Sequence, residues 1–108
     1  MPKKLIKKIK ARVKIKSTGE EKYILRLFVT GILPNSVRAV ANSKAFCEKY
    51  LKDRYELEII DIYQQPSLAL EEEIIAIPLL VKKFPLPEER LTGDLSNIEK
   101  VLKGLRLI

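Results

Sequence analysis

The stretch Tyr23 to Thr30 (YILRLFVT) constrains this chain most, because it is apolar or aromatic at nearly every position, with Arg26 its one charge. A strand with one wet face alternates apolar and polar residues. A run that does not alternate needs cover on both faces, as in the middle of a parallel or mixed sheet. The remaining chain must therefore supply elements above and below this strand.

It has the means to do so. Gly31 to Pro34 breaks the run, and Asn35 or Ser36 is placed to cap a helix by accepting from its first free N–H groups. That helix is expected to reach about Asp53, with Val37, Val40, Cys47 and Leu51 on its buried face. Tyr55 to Ile62 reads as a second strand. Gln64, Gln65 and Pro66 punctuate the chain, and Ser67 to about Glu73 is a short helix. Leu79 to Phe84 forms a third strand after Pro78. Pro85 and Pro87 mark a turn, and Glu89 to Thr92 forms a fourth strand. Ser96 with Glu99 has the spacing of a capping box and opens a last helix with Ile98, Val101, Leu102 and Leu105 as its apolar stripe. The order βαβαββα, read as two right-handed crossovers sharing a strand and closed by a hairpin and a helix, predicts an α/β fold. Its four-stranded mixed sheet carries helices on both faces, the thioredoxin-like layout.

Charge divides the chain in two. Residues 1–20 carry eight basic groups against Glu20, whereas residues 21–108 carry 13 basic and 13 acidic groups. The net charge of +7 therefore belongs to a basic arm, residues 1–20, and the domain at 21–108 is neutral. Three readings of the arm stay open: a solvated tail, an amphipathic helix using Leu5, Ile9 and Val13, or a strand in which Val13 and Ile15 alternate with Arg12, Lys14 and Lys16. A Ser17-Thr18-Gly19-Glu20 turn follows that strand, which could pair with the edge formed by Tyr55 to Ile62. No aromatic interleaves the arm's charges to stack on bases, which argues against nucleic acid as a partner. No apolar run approaches the length of a membrane helix, and no secretory h-region follows the N-terminal lysines, so the expected location is cytoplasmic.

The means of catalysis are sparse. The chain has no histidine and one cysteine, which leaves it without the commonest general base and without a Cys-based zinc site or internal disulfide. Redox thioredoxins carry a C-x-x-C pair between first strand and first helix. This chain has Gly31-Ile32-Leu33-Pro34 there, and Cys47 lies near the other end of the helix, where it reads as a small buried hydrophobe. Glu71-Glu72-Glu73 fan around a helix and read as a solvated acidic face. Ile77-Pro78 sits where a thioredoxin-like layout places a cis proline. We therefore expect a non-enzymatic binding protein with no cofactor and no metal site. A thioredoxin-like protein with a degenerate redox site, or a nucleic-acid or membrane module acting through the arm, is the alternative.

Leu25 to Ala39 (LRLFVTGILPNSVRA), Glu56 to Ile62, Pro66 to Ala69 (PSLA), Pro85 to Pro87 (PLP) and Gly93 to Leu105 (GDLSNIEKVLKGL) together resemble the KaiB family of circadian clock proteins. The likeness runs in one register over about residues 22–107. It implies a regulatory partner of KaiC, a ring-forming ATPase, and self-association as a dimer or tetramer in one of two folds. One is a thioredoxin-like monomer; the other is a ground-state fold with a rearranged C-terminal half, here about Gln64 to Leu105. By position, the resemblance assigns partner binding to Lys22, Arg26, Pro34, Asn35, Ser36 and Arg38. It places the fold-switch region at Pro66, Pro78, Pro85, Pro87, Gly93, Asp94 and Ser96. The chain departs from the family pattern at Glu73, at Ile77-Pro78-Leu79 and at Glu89-Arg90, where lysine, Thr-Pro-Thr and an arginine pair are usual. Charge reversals of this kind redirect partner choice, which points to a divergent KaiC-like ATPase, in circadian rhythm or in a related stress or adaptation pathway.

Overall fold

The computed structural model describes residues 21–74 and 76–108, so the three readings of the basic arm lie outside the described residues. Its elements are β1 (Tyr23–Val29), α1 (Pro34–Tyr50), β2 (Tyr55–Asp61), α2 (Pro66–Glu71), β3 (Leu79–Phe84), β4 (Glu89–Thr92) and α3 (Ile98–Gly104).

The four strands form one mixed sheet in the order β2-β1-β3-β4. β1 and β2 are parallel, with Tyr23 opposite Tyr55 and Val29 opposite Asp61, and α1 makes the crossover between them. β3 runs antiparallel to β1 and β4 antiparallel to β3. The expected second parallel crossover is therefore absent. The connection from β2 to β3 runs through residues 62–78 and includes the six-residue α2. The chain begins β3 at the end of the sheet where β2 finished and runs back.

β1 is covered on both faces, as its composition demands. Tyr23, Leu25, Leu27 and Val29 pack with Ala39, Phe46 and Cys47 of α1 and with Leu95, Val101 and Leu105 around α3. On the opposite face Phe28 packs with Ile60, Leu79 and Val81, closed over by Leu68 of α2, Ile74 and Ile77. Leu27, Phe28 and Val81 are fully buried, each contributing about 1.5–3 kcal/mol of transfer free energy.

Several local expectations are corrected. α1 begins at Pro34 with Leu33 as N-cap and no side-chain cap, because proline lacks the N–H that a first-turn position leaves unpaired. The helix ends at Tyr50, short of Asp53, and its inward face is Ser36, Ala39, Ser43, Phe46 and Cys47, while Val37 is exposed. The cap of α3 is Asn97, whose Oδ1 accepts from the Lys100 N–H at 3.1 Å. Ser96 lies one residue outside, its own N–H donating to Asp94 Oδ1 at 3.1 Å, and Ile98 is exposed. α2 spans Pro66–Glu71 and not Ser67 to Glu73, with Glu73 beyond it at a φ of 55°.

Candidate functional site

The C-terminal end of β1 opens into a pole built from three separate stretches of sequence. Gly31 turns the chain at a φ of 49°, its N–H donating to Asp61 Oδ2 at 3.2 Å, and leaves Ile32 and Leu33 exposed before α1 starts. Ser36, buried in the first turn of α1, accepts from the Thr30 N–H at 3.1 Å and so fixes helix to strand. From the second stretch, Ile77 lines a shallow groove with Thr30, Leu33, Pro34, Asn35 and Ser36, and the Ile77-Pro78 peptide is cis, as expected. The Phe84-Pro85 and Leu86-Pro87 peptides are also cis. The third stretch arrives when the Gly93 N–H donates to the Pro78 carbonyl at 3.0 Å.

Gly93 has a φ of 104°, which L side chains rarely adopt, and a Cβ there would meet no atom within 4 Å. Glycine is required by the backbone and not by space. The turn carries Asp94 back to α1: Arg38 Nε donates to Asp94 Oδ2 at 3.1 Å, and Asn42 Nδ2 donates to the Asp94 carbonyl at 2.7 Å. Arg38 also donates to Asn35 Oδ1. Bonds from Ser96, then from Arg38, hold the Asp94 carboxyl below the usual carboxylate range.

The expected site residues thus fall into groups. Pro34, Asn35, Ser36, Arg38, Pro78, Gly93, Asp94 and Ser96 meet at this pole. Lys22, Pro85 and Pro87 lie at the opposite end of the sheet, where Lys22 Nζ bonds Glu56 Oε2 at 2.7 Å. Pro66 is the first residue of α2. Arg26 stands half-buried on the α2 face, 3.4 Å from Glu58 and 3.6 Å from Glu72. Asn42, four residues beyond Arg38 on the same helix, and Asp61, whose Oδ1 also accepts from the Tyr63 N–H at 2.8 Å, complete the pole and were not expected. The i, i+4 spacing from Arg38 was the one signal for Asn42.

Glu72 corrects the reading of a solvated acidic face. It is buried, while Glu71 and Glu73 are exposed. Lys83 Nζ donates to its Oε2 at 2.7 Å, and Arg90 donates to its Oε1 at 3.1 Å and to its carbonyl at 2.6 Å. The bond to Glu72 comes first among the causes that raise the Lys83 pKa. Glu89 faces the other side of the sheet and accepts from Arg106 Nε at 2.5 Å, which lowers its pKa.

The pole carries a polar network beside exposed apolar side chains, of which Ile32 is 90% and Leu33 58% exposed, with Val37 and Tyr63 also open. The chain's one cysteine lies away from it. Cys47 is buried in the middle of the core, and burial, then the charge of Glu48, pushes its thiol up to about 12. A thiol in that state is inert at neutral pH.

Comparison with known proteins follows the same lines. The family model described as KaiB domain matches residues 26–107. The chain is 46% identical over 85 residues to Circadian clock protein KaiB3 of Synechocystis sp., covering 79% of this chain and 83% of that one. It is 49% identical over 86 residues to Circadian clock oscillator protein KaiB of Synechococcus elongatus, covering 80% and 84%. Among solved structures, the N-terminal domain of Synechococcus elongatus SasA superposes with a TM-score of 0.64 at 23% identity, over 82% of this chain and 87% of that one. Mitochondrial thioredoxin 3 of Saccharomyces cerevisiae gives 0.65 at 17% identity, over 93% and 89%. At these identities the structural likeness establishes the thioredoxin-like fold.

Proposed function

This chain belongs to the KaiB family, and from that premise we propose that it is a non-enzymatic regulator that binds a KaiC-type ring ATPase through the pole at the C-terminal end of β1. The observation that carries the reading is the Arg38–Asp94 bond at 3.1 Å. It joins the two sequence blocks most distinctive of the family, PNSVR and GDLS, which are 56 residues apart in the chain. Beside them, Ile32, Leu33 and Val37 offer apolar area, and interfaces commonly surround such a centre with a polar rim.

Residues 21–108 act in this reading as a neutral docking domain, with residues 1–20 as its basic arm. Binding is by surface shape and not by a reactive group, which agrees with the buried, neutral Cys47. The exposed Glu73 and the Arg106-bound Glu89 set which ATPase is accepted, favouring a divergent KaiC-like partner. The region from Gln64 to Leu105, with its prolines, Gly93, Asp94 and Ser96, is in our reading the half able to repack. Its short elements α2, β4 and α3 have six, four and seven residues, so competing packings can differ by only a few kcal/mol.

The test is retention of the purified chain on the KaiC-like protein of the same organism, with and without nucleotide. The reading expects retention in at least one nucleotide state and its loss in Val37→Asp. No retention of the wild type in either state removes the partner assignment.

A further inference from the structure

We propose that the outer edge of β2 is covered by the chain's own residues 12–16, added antiparallel as a fifth strand. Among the described residues β2 has β1 on one side and no strand on the other. The Ile62 N–H donates to the Val29 carbonyl at 3.0 Å. By alternation, the backbone groups of Glu58 and Ile60 face β1, while those of Leu57 and Ile59 face outward. Such a row is a template for another strand.

The two faces of this edge differ in chemistry. Leu57 and Ile59 are half-buried against the core shared with α1, and Glu56 and Glu58 stand exposed on the other face. Residues 12–16 read RVKIK. With Ile15 opposite Leu57, Val13 falls opposite Ile59, Lys16 opposite Glu56 and Lys14 opposite Glu58, so both pairs on one face are apolar and two pairs on the other join base to acid, while Arg12 falls opposite the buried Ile60. A slip of one residue would put the lysines against the core. Glu56 already bonds Lys22 and Glu58 approaches Arg26, and a carboxylate has acceptor capacity for a second cation.

The connection is feasible. The Tyr23 N–H donates to the Arg54 carbonyl at 2.9 Å, and Arg54 reaches the Glu21 carbonyl at 3.5 Å, so residue 21 sits beside the start of β2. Residues 17–20 reach about 13 Å at 3.3–3.6 Å each. Two strand spacings require roughly 10 Å. A chain turning there runs back along β2 in the antiparallel sense. A partner seeking this edge would have to displace the arm, and a covered edge does not pair with a second copy.

The experiment is amide hydrogen exchange by NMR on the full-length protein at several concentrations, with mass measured in parallel. The proposal expects the Leu57 and Ile59 amides to exchange at least about tenfold more slowly than in full-length Ile15→Pro, at monomeric mass. Lys14→Glu with Lys16→Glu should remove that protection, and adding Glu56→Lys with Glu58→Lys should restore it. Equal exchange in wild type and Ile15→Pro overturns the proposal. So does protection that grows with concentration at doubled mass, which assigns the edge to a second copy. Protection seen only with anionic vesicles or DNA present overturns it as well.

Discussion

Arg38 Nε lies 3.1 Å from Asp94 Oδ2, and this bond fastens the turn before α3 to the first helix of the chain. It has a pH signature. The folded Asp94 carboxyl is held low by Ser96 and Arg38, so its stabilisation is complete above the unfolded-state value and is lost as pH falls through the folded one. Asp94→Asn is expected to lower the urea midpoint at neutral pH. The gap from wild type should close as the pH is taken below the ordinary aspartate range.

Ser36 is buried and accepts from the Thr30 N–H. Ser36→Ala strands that donor and is expected to cost about 1–2 kcal/mol by chemical denaturation. Asn35→Ala, which alters an exposed side chain, should cost less than half as much.

Glu72 ties the end of α2 to β3 and β4 through Lys83 and Arg90. Removing the carboxylate from among these cations in Glu72→Ala is expected to destabilise by about 1–3 kcal/mol. The loss should be localised: exchange should accelerate first in the amides of residues 66–74, a distinction NMR can read.

Lys82 is buried beside the Tyr23 ring, 6.0 Å from its centroid, and its pKa is lowered, chiefly by desolvation. Across the strand pair it faces Glu89, with Arg106 and Glu21 also acting on its charge. The folded state favours the neutral amine more than the unfolded state does, so this group's contribution to stability rises with pH through the alkaline range. Lys82→Met is expected to be neutral or stabilising at pH 7, and its advantage over wild type should shrink as the lysine deprotonates.

Cys47, with its thiol at about 12, should resist a thiol reagent at pH 8 in the native protein and react fully in urea. At that pH the thiolate fraction is on the order of 10⁻⁴. Rapid native labelling would show that the core around α1 opens readily.

β1 was legible because burial on two faces leaves an unmistakable run, Tyr23–Val29. Strand direction was not, since periodicity carries no polarity, and β3 runs antiparallel to β1. The inward face of α1 was misjudged at Val37 because hydropathy ranks valine above serine, whereas the close helix–sheet contact admits small Ser36, Ala39 and Ser43. The expected caps, Asn35 or Ser36 on α1 and Ser96 on α3, were not the ones used. Pro34 decided the first, and the bond from Lys100 to Asn97 decided the second. The meeting of Arg38 with Asp94 depends on packing across 56 residues, and the only hint in the chain was that both blocks matched one family. Glu72 was hidden between two identical neighbours, which periodicity cannot tell apart without the positions of Lys83 and Arg90.

The most direct measurement is the footprint of the KaiC-type ATPase of the same organism on this chain, by hydrogen exchange with mass spectrometry at saturating ATPase. The account predicts protection concentrated in residues 31–42 and 93–97, abolished in Val37→Asp. Protection confined to the opposite end of the sheet, around Lys22 and the Pro85–Pro87 turn, would contradict it.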